Sequence, residues 1–312
     1  MVSYFIPCDT KSWGVRSFMS IHEISHVAVV GAGQMGRQIA MLSALGELNT
    51  MLMDTNPSVL VTARDELEDR MNHWVIKEKL TPIARVKALA RLTATTSLES
   101  AVAQADVVIE AVVEKLALKR KIFAQLDSLA PRPAILATNS STIASSQLGS
   151  QTTRPEKVLN MHFFFPPLQM TCVEIVRGPK TSDETVEMAL ALCQRIGQTG
   201  ILVQKEIPGF VANRILGAIE REALALYEAG IADFKDIDLI CRQALHHPIG
   251  PFEIMDLSGN DVTYLAMQQI YEETGDPYWK PPATLVRKLE EGLLGRKTGT
   301  GWYLYSEDTA PR

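Results

Sequence analysis

Histidine is the side chain best suited to moving a proton at neutral pH, and the chain has six: His22, His26, His73, His162, His246 and His247. His22 and His26 precede the first predicted strand, and His73 lies within a charged helix. Only His162 falls at the carboxyl end of a predicted strand in an α/β region, where such sheets bind ligands. Glu174 lies on the next predicted strand, 12 residues on. A carboxylate on one ring nitrogen fixes the tautomer and raises basicity at the other. Spacing alone leaves two readings open: a His162–Glu174 base dyad, or a strand-end histidine that is merely hydrogen-bonded. Ser141 and Asn213 are candidate donors to a substrate oxygen. Each also has a plainer use, Ser141 as a helix cap and Asn213 as a helix-to-loop hydrogen bond across a domain boundary.

A base of this kind takes the hydroxyl proton of an alcohol as hydride leaves its carbon, and that chemistry needs a hydride acceptor. Residues 26–54 offer a place for one. Val27 to Val30 is a short β-branched run typical of a buried parallel strand. It leads into Gly31, Gly33 and Gly36, a G-x-G-x-x-G, and then a predicted helix from Arg37 to Leu45 ended by Gly46. Gly31 makes the tight turn, Gly33 lets the backbone approach a pyrophosphate, and Gly36 lets the helix pack on the sheet. The helix N-terminus presents free N–H groups to the phosphates. A second strand, Thr50 to Met53, ends in Asp54, placed to accept from the adenosine ribose hydroxyls. No basic residue follows before Arg64, which favours NAD over NADP.

The elements that position these residues alternate. Helices are predicted from Pro57 to Lys79, after Pro82, and from Leu98 to Gln104. A strand from Asp106 to Val113 ends in Glu114, a helix spans Lys115 to Leu129, and a strand spans Ala134 to Thr138. Asn139 to Thr142 is expected to cap a helix. Strands from Val158 to His162 and from Thr171 to Val176 flank the rigid turn Phe163 to Pro167. A helix from Glu184 to Ile196 and a strand from Ile201 to Val203 follow. The alternation then stops, and from Phe210 to Leu294 the chain reads helical, with a glycine-rich tail ending in an aromatic, strand-like piece at Tyr303. The expected architecture is α/β: a Rossmann-type doubly wound sheet at 21–205, then a smaller all-α domain at 206–312. Residues 1–20 read as an extension, either disordered or the product of a mis-set start codon at Met1 ahead of Met19.

Bulk properties limit the alternatives. A net charge of −5 over 312 residues offers no basic field for nucleic acid or an anionic membrane, and no apolar stretch reaches bilayer length. Cys8, Cys172, Cys193 and Cys241 are widely spaced and match no metal pattern, so no metal is expected and a reducing, cytoplasmic setting is.

Read together, Gly31-Ala-Gly-Gln-Met-Gly36, Glu110-Ala-Val-Val-Glu114, Asn139-Ser-Ser, Met161-His-Phe-Phe, Val173-Glu174-Ile, Pro208-Gly-Phe-Val-Ala-Asn213-Arg, His247-Pro-Ile-Gly-Pro251 and Gly295-Arg-Lys-Thr-Gly299 resemble the 3-hydroxyacyl-CoA dehydrogenase family, especially its bacterial 3-hydroxybutyryl-CoA branch. The likeness runs from His26 to Tyr305. It implies an NAD domain followed by a helical domain that makes a homodimer, an active site between them, and a place in fatty acid β-oxidation. It implies that His162 is the general base on the 3-hydroxyl, that Glu174 orients it, and that Ser141 and Asn213 hold substrate oxygens. It also implies cofactor contacts from Gly31, Gly33, Gln34, Met35, Gly36, Asp54, Glu114, Lys119, Asn139 and Lys297, and a CoA phosphate contact from Lys77.

The chain departs from the family pattern at three places. Phe165 stands where the family has an asparagine that touches cofactor, Thr171-Cys172 where it has Lys-Leu, and Arg70 where it often has a small polar residue. Two other functions share the fold: the same mechanism on a free hydroxy acid, as in L-gulonate or carnitine dehydrogenases, and a non-catalytic crystallin-like structural role. Intact Ser141, His162, Glu174 and Asn213 weigh against the structural role.

Overall fold

The computed structural model describes residues 24–305; the extension expected at 1–20 lies outside them. Eight strands form one sheet: β1 His26–Val30, β2 Asn49–Met53, β3 Leu92–Thr95, β4 Val107–Glu110, β5 Ile135–Thr138, β6 Val158–Phe163, β7 Cys172–Val176 and β8 Thr199–Val203. Their order is β3-β2-β1-β4-β5-β6-β7-β8, parallel throughout except between β6 and β7. Strand order reverses between β1 and β4, which opens a crevice beyond their carboxyl ends, where open α/β sheets take their ligands.

Helices cover both faces, which is why the central strands are apolar on both sides. Their ranges are α1 Gln34–Leu45, α2 Pro57–Ile76, α3 Pro82–Arg91, α4 Leu98–Val102, α5 Leu116–Leu129, α6 Ser145–Gly149 and α7 Asp183–Arg195. One face buries Val29, Ile39, Ile109, Met161, Ile175 and Leu192. The other buries Ala28, Val108, Phe123, Leu126, Leu136 and Leu148. The sheet ends at Val203 and a helical region follows, α8 Ala212–Glu228, α9 Phe234–Gln243, α10 Pro251–Ser258, α11 Asn260–Thr274 and α12 Ala283–Glu290. Its core gathers Leu224, Phe252, Met255, Met267, Leu285 and Trp302.

Three local expectations change. The strand predicted to reach Val113 stops at Glu110, because the Glu110 Oε1 atom accepts from the Val112 N–H at 2.7 Å and turns the chain off the sheet. Asn139 to Thr142 caps no helix: Ser140 Oγ accepts from the Ile143 N–H at 2.7 Å and closes a turn, and α6 begins only at Ser145. The glycine-rich tail forms a short 3-10 turn with isolated bridges instead of a strand. Asp256 organises it, accepting from the Trp302 and Tyr303 N–H groups.

Candidate active site

The glycine turn shows why its residue types are needed. Gly31 has φ +108°, and a Cβ there would stand 2.6 Å from the Ala111 carbonyl oxygen. At Gly36 a Cβ would meet the Gly31 oxygen at 1.8 Å, so only glycine lets α1 start this close to the turn. Gly33 caps α1 without a side-chain hydrogen bond, and the space above it is open. A phosphate placed there would meet bare N–H groups and the positive end of a helix dipole. Asp54 closes the far side: its Oδ2 accepts from the Ala32 N–H at 2.9 Å, and its Oδ1 from Asn56 at 3.0 Å. Gly31, Gly33, Asp54, Thr55, Val112 and Ile122 are among the residues lining an opening of about 730 Å³. Gln34 is exposed beside it, while Met35 packs on the sheet core. These residues fit a dinucleotide.

Beneath this opening lies an ion network that spacing did not disclose. Lys119 is 1 % exposed, and its Nζ sits 2.7 and 2.9 Å from the two oxygens of Glu110, which is fully buried. Thr138 donates to the same carboxylate at 2.7 Å. Lys119 also lies 3.2 Å from Glu114, and Glu114 in turn accepts from the Ser140 and Thr142 hydroxyls. Burial pushes the Glu114 carboxyl up, but the Lys119 charge and these hydrogen bonds outweigh it and hold it below the usual range. Lys119 thus sits under Glu114, out of reach of the opening itself. Asn139 takes a different partner, its Oδ1 accepting from the Phe163 N–H at 3.0 Å.

His162, the penultimate residue of β6, stands directly opposite Glu174 on β7 in the antiparallel pair. Its Nδ1 is 2.8 Å from Glu174 Oε2, and its Nε2 is 3.0 Å from Ser141 Oγ. Both members of the pair are buried, at 3 % and 4 % exposure. The second Glu174 oxygen accepts from the Val211 and Ala212 N–H groups at 3.0 and 2.9 Å, at the start of α8. Burial raises the Glu174 pKa, yet the bonds from His162, Ala212 and Val211 prevail and hold it below the ordinary value. The rings of Phe164 and Phe210 pack on the imidazole at 4.7 and 5.6 Å between centroids. Neither these rings nor the two N–H groups were legible in the spacing of polar residues.

Asn213 lies in the first turn of α8 and lines a cavity of about 210 Å³ together with Thr142, Gly209 and Trp279. The structure thus brings Ser141, His162 and Glu174 into one hydrogen-bonded chain, with Asn213 on the neighbouring wall. Lys77 stands exposed just past α2. Lys297 lies in the helical region, its Nζ 2.5 Å from Asp261, and does not line the dinucleotide opening. Phe165 is 62 % exposed after β6.

A dinucleotide opening at the carboxyl ends of β1 and β2, with a buried imidazole–carboxylate pair at the end of β6, defines an NAD-dependent oxidoreductase with a separate helical domain. The NAD-binding domain model of 3-hydroxyacyl-CoA dehydrogenases matches residues 26–207, and the C-terminal domain model of the same enzymes matches residues 209–305. The chain belongs to the 3-hydroxyacyl-CoA dehydrogenase family. It is 36 % identical over 282 residues to the 3-hydroxybutyryl-CoA dehydrogenase of Bradyrhizobium diazoefficiens, covering 90 % of this chain and 96 % of that one. The mitochondrial hydroxyacyl-coenzyme A dehydrogenase of Mus musculus is 33 % identical over 289 residues, covering 90 % and 91 %. The solved (S)-3-hydroxybutyryl-CoA dehydrogenase of Ralstonia eutropha is 37 % identical with a TM-score of 0.88, covering 91 % of this chain and all of that one.

Proposed function

We propose that the protein reversibly oxidises short-chain (S)-3-hydroxyacyl-CoA, of the 3-hydroxybutyryl-CoA type, to the 3-oxoacyl-CoA. The observation that supports this most is the chain Ser141–His162–Glu174. With its proton on Nδ1, donated to Glu174, the imidazole keeps Nε2 as the acceptor, which faces Ser141 Oγ at 3.0 Å and is the atom that takes the 3-hydroxyl proton. Glu174 stays anionic and stabilises the imidazolium that forms. Bound NAD would supply the acceptor for the hydride that leaves C3. Ser141 and Asn213 hold the substrate oxygens. Phe164 and Phe210 keep water from the imidazole, which strengthens its pairing with Glu174.

The cofactor is held, in this reading, by the Gly31–Gly36 turn with Gln34 and Met35, by Asp54 at the ribose, and by Asn139 and Glu114 toward the nicotinamide. Lys119 acts through Glu114. Lys297 stands at a position that in the family lies near the cofactor, and Lys77 takes a CoA phosphate. The second subunit docks on the helical domain, where an apolar groove along α8 and α9 leaves Ile215, Ile240 and Leu245 59 %, 56 % and 60 % exposed. A dimer that sediments unchanged in an Ile240→Glu variant would rule this face out. Cys172, Cys193 and Cys241 are free thiols, in keeping with a cytoplasmic enzyme of fatty acid oxidation.

Loss of NADH absorbance on adding acetoacetyl-CoA tests the substrate class. No loss, together with turnover of free hydroxy acids, would transfer the assignment to a hydroxy-acid dehydrogenase.

A further inference from the structure

The cavity that carries Asn213 has an acid at its far end. Asn213, Leu216, Gly217 and Glu220 follow one another at helical spacing and form a single stripe on α8. Asn213 and Glu220 stand about 10 Å apart along the helix axis. The walls between them are apolar, with Leu216 and Trp279 on one side and Met267 and Ile270 of α11 on another. Gly217 makes room for the indole, since a Cβ there would sit 3.0 Å from the Trp279 ring. Trp279 is 4 % exposed and so forms a fixed wall.

Glu220 is 5 % exposed, and its hydrogen bond is to Thr263 of α11. No cation pairs with it among the described residues. Burial, opposed only by the Thr263 bond, pushes its pKa up to about 8, so at neutral pH it is largely a carboxylic acid with a proton to donate. Apart from Asn213 at its mouth, the other polar groups of the cavity are already used. Thr142 donates to Glu114, Ser258 to the Ile254 carbonyl, and Gln269 to Glu273. A buried donor without an acceptor costs about 1–3 kcal/mol, whereas a bound oxygen would satisfy it. An aliphatic side chain in this place would make a plain acyl pocket, and a carboxyl makes a selective one.

We propose that this cavity is the subsite for the acyl tail, and that Glu220 selects acyl chains carrying an oxygen, as hydroxyl or carbonyl, near their far end. The proposal rests on the acyl-CoA reading above and extends its substrates beyond the 3-hydroxybutyryl type to longer, oxygen-bearing chains. A tail entering past Asn213 reaches Glu220 with about six to eight carbons, because an extended alkyl chain advances about 1.25 Å per bond over the roughly 10 Å of helix between them. A plain alkyl tail would bury the Glu220 proton against a methyl group and leave it unpaired. Sites that hydrogen-bond a substrate hydroxyl discriminate strongly against analogues that lack it.

The test compares NAD-dependent oxidation of (S)-3-hydroxydecanoyl-CoA with that of (S)-3,10-dihydroxydecanoyl-CoA, in the wild type, Glu220→Gln and Glu220→Leu. The wild type should favour the diol by about tenfold or more in kcat/KM. Glu220→Gln, which keeps a donor and an acceptor, should retain most of that preference, and Glu220→Leu should invert it. A wild-type preference for the plain chain would overturn the proposal. So would an equal fall for both thioesters in Glu220→Leu, which would mean that the cavity holds the pantetheine arm or that Glu220 is structural. Calorimetric Kd values for the two thioesters without NAD make the outcome independent of turnover. If neither thioester is oxidised, the dehydrogenase reading fails, while tighter binding of the diol, abolished in Glu220→Leu, still supports the subsite and equal binding overturns it.

Discussion

Glu174 and His162 are direct partners across the only antiparallel ladder of the sheet among the described residues, and that pairing sets Oε2 2.8 Å from Nδ1. Side chains opposite one another on one face stand about 5 Å apart at Cβ, a gap these two can bridge without leaving their strands. A parallel β7 would place its own carboxyl end, not Glu174, beside the end of β6. The other carboxylate oxygen is tied to the N–H groups of Val211 and Ala212. The first turn of the helical domain therefore fixes the acid that fixes the base.

Replacing Glu174 with Gln removes the charge and leaves the shape. The carboxyl is held below its ordinary pKa by His162 and the two N–H groups against the opposing effect of burial, so it is ionised throughout the neutral range. We expect kcat to fall about a hundredfold, with KM for NAD unmoved. Since the folded pKa is depressed, the pair also stabilises the protein above the unfolded value of 4.5, and that contribution is lost as pH falls through the folded value. Thermal melts of Glu174→Gln should therefore differ most from wild type at neutral pH and converge in acid. A variant with full kcat across pH would remove Glu174 from the mechanism.

Asp54 has two tasks, since its Oδ2 already accepts from Ala32 in the glycine turn. Asp54→Ala should raise KM for NAD about tenfold and leave kcat at saturating NAD within a few-fold. Initial rates at varied NAD measure both. An unchanged KM would contradict ribose recognition by this residue.

Burial pushes Glu220 up to about 8 from an ordinary 4.5. Its stabilising protonated form is fully present below 4.5 and is lost progressively as pH rises toward about 8. Glu220→Gln cannot ionise, so its Tm should gain on the wild type as pH is raised from about 5 to about 8, by several degrees. Parallel pH profiles for the two proteins would show that the acid is not desolvated.

Much of this arrangement can be read from the chain. The glycine turn, Asp54 and the alternation of strands and helices follow from local rules with period and position behind them, and the switch to helices beyond Val203 follows from the loss of alternation. The resemblance supplies roles that spacing leaves open, as for His162 and Ser141. What escapes is long-range or backbone-borne. β3 is a short edge strand, Leu-Thr-Ala-Thr, whose half-exposed residues show no apolar pattern. The Glu110–Lys119–Thr138 network joins three elements. The clamp on Glu174 is made of N–H groups, which no residue type announces. Glu220 reads as one more charge on an amphipathic helix until packing shows that it faces a cavity.

His162→Ala tests the central claim most directly, with kcat measured on acetoacetyl-CoA and Kd for NADH measured by fluorescence. The account predicts a kcat lower by about a thousandfold and a Kd within about twofold of wild type, because the imidazole lies outside the Gly31–Asp54 opening. A kcat within tenfold of wild type, or NADH binding lost in step with activity, would contradict it.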